Sequence, residues 1–104
     1  MSSPTTRTLA RLRKHGWTAA VTGHWNPWAH IRQDLYGIID VLAFKGRLMI
    51  AVQATSDSNH AARVRKCREW EHLQEWATPI RRLEVWSWRK KKNGRWTFRR
   101  QRME

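Results

Sequence analysis

Two apolar segments joined by a tight turn constrain the fold of this chain more than any other feature. The segments are GIIDVLAF, residues 37–44, and RLMIAVQAT, residues 47–55, and Lys45-Gly46 connects them. A connection this short is typical of an antiparallel hairpin. Apolar side chains fall on both faces of each segment, which favours central strands that are covered on both sides.

The N-terminal third is expected to add one helix and one strand. The helix is predicted over TTRTLARLRKHG, with Thr5 or Thr6 as its cap and Gly16 at its end. Residues 17–22 are rich in β-branched and aromatic side chains, so they are predicted to form a strand. Residues 23–34 contain Gly and Pro and are expected to form a loop.

The C-terminal half is expected to add a helix and two strands. Asp57 or Ser58 is the expected cap of a helix that runs to Ala77. The segments RRLEVWSWR and RWTFRRQR are predicted strands, and KKKNG between them contains the Asn-Gly pair typical of a turn. The fold class is therefore α/β, in the order αβββαββ and within a single domain, residues 1–104.

The charge of the chain points to a polyanionic partner. There are 21 Lys and Arg residues against 8 Asp and Glu, a formal net charge of +13. Nucleic acid is the commonest polyanion that matches such a charge. The single cysteine, Cys67, excludes a disulfide framework and is expected to be a small apolar residue in a reducing compartment. The apolar runs are too short to span a membrane and no secretion signal is present, so a cytoplasmic protein without a membrane partner is expected.

Each strand of the central hairpin carries one polar side chain in an otherwise apolar run. These are Asp40 and Gln53, and closure of the hairpin around residues 45–48 sets them opposite or diagonal to each other on one face. Two interpretations stay open. The residues are either an ordinary polar pair at the open end of a hairpin, or half of a site that binds a hard divalent ion such as Mg²⁺ through carboxylate and amide oxygens and the carbonyl of Ala54.

The second helix offers a cation close to this pair. Plotted with helical periodicity, Lys66 falls in the middle of an apolar arc. The apolar members of that arc are Ala62, Trp70, Leu73, Trp76 and Ala77. Lys66 either extends to solvent along its packed stem or reaches the site, where its ammonium would orient water or neutralise a phosphate.

The order of elements and the segments YGIIDVLAF and MIAVQAT resemble the PD-(D/E)XK nuclease superfamily, and within it the small Holliday-junction-resolvase-like and phage-type members. The resemblance covers residues 5–88. It implies a restriction-endonuclease-like core, with a central mixed sheet flanked by helices. It also implies an endonuclease that depends on Mg²⁺ or Mn²⁺ and cleaves phosphodiester bonds in branched or duplex DNA.

The resemblance assigns roles to individual residues. Asp40 matches the motif Asp, Gln53 stands where the second acid belongs, and Thr55 stands where the Lys belongs. Asp40 and Gln53 are then metal-binding and catalytic, and Lys66 on the helix is expected to replace the missing Lys. Some members place an acid on the first helix, which residues 1–33 lack, and Asp34 is expected to replace it as a metal ligand because it closely precedes the motif strand. The alternative is a plain residue in a loop or at the start of a strand.

Further residues are expected to contact nucleic acid around this site. They are Arg32, Thr55, Ser56, Asn59, Arg63, Lys90, Lys91 and Lys92. Any exposed member of the 8 tryptophans would stack on bases. Trp70 and Trp76 are expected in the core instead, and Trp86 and Trp88 are expected to share a strand face.

Three functions stay open on the sequence. The first is a metal-dependent endonuclease. It would act as a homodimer, because symmetric cutting of two strands needs two sites. If it is phage-encoded, it would act in the cytoplasm of a bacterial host cell. The second is a nucleic-acid-binding protein that retains the nuclease fold without catalysis, which the missing Glu and Lys favour. The third is a basic architectural or ribosome-associated module with no metal site.

Overall fold

The computed structural model describes residues 3–104, without the side chain of Arg32, and contains helices and strands. The predicted nucleic-acid contact of Arg32 therefore lies outside the described residues. The helices are α1 (Pro4–Lys14), α2 (His60–Arg68), which follows a 3-10 turn (Asp57–Asn59), and α3 (Leu73–Trp76). The strands are β1 (Thr18–Val21), β2 (His24–Asn26), β3 (Ile31–Gln33), β4 (Val41–Lys45), β5 (Leu48–Ser56), β6 (Arg81–Lys90) and β7 (Trp96–Arg102).

Five of the strands form one mixed sheet in the order β1-β4-β5-β6-β7. β5 and β6 run parallel, and the other neighbouring pairs are antiparallel. β4 and β5 join through a two-residue turn, in which Lys45 pairs with Leu48 and Gly46 adopts a φ of +60° that favours glycine. The predicted α/β class and the tight central hairpin are therefore confirmed.

The sheet separates two hydrophobic clusters. The cluster under α1 contains Leu12, Ala19, Val41, Ala43, Ile50, Val52, Trp86 and Trp88. The cluster under α2 and α3 contains Ile38, Ile39, Ala51, Val64, Cys67, Leu73, Leu83, Val85 and Met103. Full burial of one Leu or Ile side chain contributes about 2 kcal/mol, so both layers stabilise the central strands. The prediction that the hairpin is covered on both sides is confirmed.

A buried carboxylate on the α1 face has its charge neutralised locally. Glu84 is 2% exposed, and its Oε1 accepts hydrogen bonds from Arg100 Nε at 2.7 Å and from Trp86 Nε1 at 3.0 Å. On the same face, Trp88 Nε1 donates to Thr8 Oγ1 at 2.9 Å. Glu84, Trp86 and Trp88 are thus paired with polar groups within the protein.

The second helix is shorter than the sequence predicts. It ends at Arg68, and the four-residue α3 follows only after a break, so the prediction of one continuous helix to Ala77 was wrong. The break begins where the N–H of Trp70 bonds to the carbonyl of Cys67 at 3.3 Å and tightens the last turn. The predicted caps were also wrong, because Asp57 and Ser58 lie in the 3-10 turn before the helix.

The break changes which face of α2 is buried. His60, Val64 and Cys67 are buried, at a spacing of four and then three residues. Ala62 and Lys66 are exposed. The prediction that Lys66 lies in the middle of a buried face was therefore wrong, because the arc had been drawn through residues beyond the end of the helix.

Three further boundaries differ from expectation. Residues 23–34 contain the short antiparallel strands β2 and β3 rather than only a loop. The first strand of the central hairpin begins at Val41, because the chain turns just before it. The cap of α1 is Ser3, whose Oγ accepts the N–H of Thr6 at 3.2 Å, and Pro4 starts the helix.

The tryptophans divide between core and surface. Trp86 and Trp88 share the buried α1 face of β6, as predicted. Trp70 and Trp76 are partly buried against the other cluster, whereas Trp28 is 92% exposed. Within residues 3–104, none of the helices is long and apolar enough to cross a membrane.

Candidate metal and nucleic-acid site

Asp40 and Gln53 meet where β4 begins and β5 nears its end. Val41 pairs with Val52, so Asp40 and Gln53 are the next residues along their strands and face each other. Gln53 Nε2 donates to Asp40 Oδ2 at 2.6 Å, and the backbone N–H of Ala54 donates to the same oxygen at 2.8 Å. The prediction that the two side chains share one face of neighbouring antiparallel strands is confirmed.

The carbonyl oxygen of the Gln53 side chain is an unused acceptor. Gln53 is 1% exposed, and its Oε1 has no hydrogen-bond partner within the described part of the chain. An unsatisfied buried acceptor costs about 1–3 kcal/mol. This oxygen belongs to an amide that already touches the Asp40 carboxyl, so it is suited to a bound cation.

A tight reversal of the chain brings a second carboxyl to the site. Leu35 and Ile39 form a β-bridge in which each N–H donates to the carbonyl of the other, at 3.0 and 2.9 Å. Tyr36, with a φ of +53°, lies in the turn between them. The bridge places the two flanking residues, Asp34 and Asp40, beside each other although they are six positions apart in the sequence.

Asp34 lies close enough to Asp40, across the Leu35–Ile39 bridge, to change the titration of its carboxyl. The pKa of Asp40 is raised from its ordinary value of 3.8 to about 7, first by burial and next by the hydrogen bond and charge of Asp34. Hydrogen bonds from Ala54 and Gln53 act in the opposite direction. Close to neutral pH the Asp40 carboxyl therefore changes between its protonated and its charged form.

The carboxyl pair borders a cleft of about 530 Å³. Its walls are Thr22, His24, Gln33, Asp34, Leu35, Tyr36, Gly37 and Lys66. Asp34 and Lys66 thus face the same space, while Asp40 and Gln53 are buried next to Asp34. Lys66 reaches the opening of the site from the exposed side of α2, not from its buried face.

The start of α2 is anchored to the sheet on this face. His60 bonds through Nδ1 to Ser87 Oγ at 2.5 Å and through Nε2 to Gln101 Oε1 at 2.9 Å. These bonds attach the helix to β6 and β7. They fix the position of the following turns, which carry Arg63 and Lys66.

Cys67 lies on the buried side of α2 and is fully buried. Its pKa is raised to about 12, first by burial, with the charge of Asp40 adding to the effect and those of Lys66 and Arg63 opposing it. A thiol with this pKa is not a nucleophile at neutral pH. The expectation of a small buried apolar residue is confirmed.

The predicted nucleic-acid contacts around β5 and α2 differ in accessibility. Thr55 is 5% exposed and lies below the surface. Ser56 and Arg63 are half-buried, and Asn59 is exposed and donates to Ser56 Oγ at 3.1 Å. Of these four side chains, Asn59 and Arg63 are therefore the ones best placed for a phosphate.

The lysine cluster lies at the same end of the sheet as the carboxyl pair. β5 and β6 are parallel and Ser56 pairs with Trp88, so both strands end on this side. Lys90 is the last residue of β6, Lys91 and Lys92 come directly after it, and all three are exposed. A polyanion that crosses this end of the sheet would meet both the lysines and the cleft.

The oxygen atoms of the site suit a hard divalent ion. The carboxyls of Asp34 and Asp40 and Oε1 of Gln53 would provide three oxygen ligands, and Mg²⁺ commonly keeps several waters beside such a set. Within residues 3–104, no three His, Cys, Asp or Glu side chains group as metal ligands, so the amide of Gln53 is needed as the third. An ion bound here would replace the proton that the Asp40 carboxyl carries below pH 7.

The bridge that pairs Asp34 with Asp40 was missed on the sequence, although its signal is present. The segment DLYGIID is nearly symmetric, with an acid at each end, apolar residues inside, and Tyr-Gly at the centre. A central glycine is typical of a tight reversal, and Gly37 adopts a φ of +73°. Interpreting residues 37–44 as one strand concealed this turn.

No family model, no curated protein and no solved structure matches the chain. Any function must therefore be argued from the residues of the site themselves.

Proposed function

We propose that this protein is a metal-dependent DNA endonuclease of Holliday-junction-resolvase type, which hydrolyses phosphodiester bonds in branched or duplex DNA with Mg²⁺ or Mn²⁺. The observation that carries the proposal is the juxtaposition of Asp34 and Asp40 across the Leu35–Ile39 bridge, beside the unpartnered Gln53 oxygen. A buried acid beside a second acid gives no structural benefit at neutral pH unless a proton or a cation neutralises it. The chain carries +13, which suits a polyanionic substrate at this cleft.

The arrangement of the sheet supports a restriction-endonuclease-like core. β1, β4 and β5 form an antiparallel series, and α2 then leads to β6, which is parallel to β5. The candidate site lies at the end of the sheet toward which β5 and β6 both run. Ligand sites commonly lie at the carboxyl ends of parallel strands.

The acidic residues would hold the metal, and the ion would polarise the scissile phosphate and lower the pKa of a bound water. Asp34 faces the cleft and Asp40 lies behind it, so Asp34 is the first ligand that an entering ion meets. Gln53 then contributes its unpartnered oxygen. The N–H of Ala54 keeps the Asp40 carboxyl fixed in one orientation.

Lys66 would stabilise charge on the phosphate. Thr55, at the position where the resembled family has Lys, is buried and carries no charge. Lys66 is exposed and lines the cleft together with Asp34, so its ammonium is placed for a phosphate oxygen. Arg63 and the Lys90–Lys92 cluster would bind the flanking phosphates. A homodimer would supply the second site that symmetric cutting requires.

One observation favours the second candidate, a nucleic-acid-binding protein without catalysis. Oδ2 of Asp40 already accepts two hydrogen bonds, and Asp40 and Gln53 are nearly inaccessible to solvent. A site satisfied in this way needs no ion to remain folded. The two candidates share DNA binding and differ in whether the acids ever exchange their proton for a metal.

The direct test is a cleavage assay on four-way junction, duplex and single-stranded DNA, in Mg²⁺, in Mn²⁺ and in EDTA. We expect cleavage only with a divalent ion. The double variant Asp34→Asn, Asp40→Asn should cut nothing, because amides cannot supply the lost charge. It should bind DNA at least as tightly as the wild type, because two negative charges near the phosphates are gone.

Each other outcome has a definite meaning. Equal cleavage in EDTA would exclude a metal role, and cleavage by the double variant would exclude this site. If the wild type binds every DNA but cuts none with either ion, the non-catalytic function replaces the nuclease. Binding that does not weaken with salt would contradict the electrostatic argument itself, because phosphate contacts release counterions.

A further inference from the structure

An aromatic cavity lies next to the carboxyl cleft. It has a volume of about 350 Å³ and is lined by Tyr36, Trp70, His72, Glu75, Trp76 and Arg81. Tyr36 also lines the carboxyl cleft, so one side chain forms a wall of both spaces. The volume is at the lower end for ligand pockets, which suits a single small ring system.

The break after α2 forms the walls of this cavity. The rings of Trp70 and Trp76 lie 6.4 Å apart at 55°, and His72 meets Trp70 edge-on at 5.7 Å. Trp76 is held in place because its Nε1 donates to the carbonyl of Arg82 at 3.0 Å. The aromatic surfaces are therefore positioned by the protein itself, before any ligand is present.

The polar groups of the cavity disfavour an anion. Arg81 donates to the carbonyls of Trp76 at 2.7 Å and Glu75 at 2.9 Å, and its guanidinium lies 4.8 Å from the ring centre of Trp76. These bonds turn two of its donors toward the protein. The exposed carboxylate of Glu75 would repel a phosphate but would accept a hydrogen bond from an amino or imino group.

We propose that this cavity binds one unpaired nucleobase, adjacent to the phosphate that occupies the carboxyl cleft. Flat aromatic walls bind bases by stacking without regard to sequence, and Glu75 would bond to the edge of the base. Tyr36, which is 69% exposed, would lie between the base and its phosphate. The assignment rests on the proposed nuclease function for the phosphate, and it deepens that function by making unpaired or extruded nucleotides the preferred substrate.

The test is DNA binding in EDTA, so that it does not depend on cleavage. The probes are a fully paired duplex, the same duplex with one bulged thymidine, and the same bulge with an abasic residue. We expect the wild type to bind the bulged thymidine about tenfold more tightly than the other two. Trp70→Ala should bind all three alike, and Trp70→Phe should keep most of the preference.

Phe44→Ala is the matched control, because Phe44 is an exposed aromatic residue outside the cavity. It should retain the full preference. Tyr36→Gly is a second cavity variant, which removes an exposed ring and should also reduce the preference for the bulged thymidine. It takes the place of Trp70→Ala in the test if Trp70→Ala does not fold. Equal wild-type binding to the bulged and abasic probes would overturn the proposal, and so would a preference that survives in folded Trp70→Ala. A base preference without cleavage would leave this proposal standing and remove only the nuclease.

Discussion

Two buried carboxyls on opposite faces of one sheet have their charges handled in opposite ways. Glu84, on the α1 face, is paired with Arg100 at 2.7 Å and receives a further hydrogen bond from Trp86. Asp40, on the α2 face, has another acid, Asp34, as its neighbour across the Leu35–Ile39 bridge. Both carboxyls are at most 5% exposed, so burial does not explain the difference.

The difference shows which of the two faces is complete without a ligand. An acid paired with arginine is neutralised by the chain itself, and nothing further is needed. An acid paired with an acid is neutralised only by something that comes from solvent, either a proton or a metal ion. The α1 face is therefore a structural layer, whereas the α2 face carries the group that we assign to function.

The largest expected effect separates the two acids by activity. Asp40→Asn should lower metal-dependent cleavage at least about a thousandfold, because the charge that holds the ion is lost. Glu84→Gln should keep cleavage within about threefold, since its contacts lie on the other face. Rates measured on one DNA substrate at saturating Mg²⁺ decide this. Similar losses in both variants would mean that the two faces are not functionally distinct.

The next effect concerns stability without metal. Asp40→Asn and Glu84→Gln should change the free energy of unfolding in opposite directions. At pH 8 Asp40→Asn should raise the free energy of unfolding by about 2 kcal/mol, because a buried carboxylate that faces another one is replaced by an amide that can donate to Asp34. Glu84→Gln should lower it by about 1 kcal/mol, because Arg100 loses a charge-assisted bond but is 47% exposed. Urea unfolding in EDTA measures both values.

The pH dependence follows from the raised pKa of Asp40. Its folded-state pKa, about 7, lies above the ordinary value of 3.8, so folding favours the protonated form. The stabilisation from that proton is complete below pH 4 and is lost as the pH rises through 7. The stability gain of Asp40→Asn should therefore be near zero at pH 4 and reach its full size above pH 7. A gain that is independent of pH would show that the acid pair does not titrate in this way.

A smaller effect is expected from changing the third ligand. Gln53→Glu should bind Mn²⁺ about tenfold more tightly at pH 8, because a third carboxylate joins the site. The same variant should be less stable than the wild type in EDTA. Gln74→Glu adds the same charge at an exposed position and should change neither property. Calorimetric titration with Mn²⁺ compares the three proteins, and equal affinities would exclude Gln53 as a ligand.

The sequence predicts the central sheet well because its signals are local. Two apolar runs and the two-residue turn between them determine the register of β4 and β5, and that register sets Asp40 opposite Gln53. The end of α2 was not predicted, because residues 69–72 contain no Gly or Pro and apolar positions continue beyond them. The position of Lys66 was mistaken for the same reason.

The candidate site was predicted only in part. Asp34 was selected because it is close to Asp40 in sequence, whereas the contact between them arises from the Leu35–Ile39 bridge. The aromatic cavity depends on where the chain folds back after α2, and no periodicity in the sequence encodes that. The local sequence pattern thus identified Asp34 and Asp40 as candidate ligands, whereas tertiary packing determines which residues surround them.

The Leu35–Ile39 bridge also bears on how the protein folds. Closing a loop of so few residues costs little chain entropy, whereas pairing β5 with β6 closes the much longer loop of residues 57–80. The two acids are therefore brought together by a short-range contact that can form before the sheet is complete. A cation that bridges them would favour that reversal early, so that the ion would act on the order of folding as well as on the finished site.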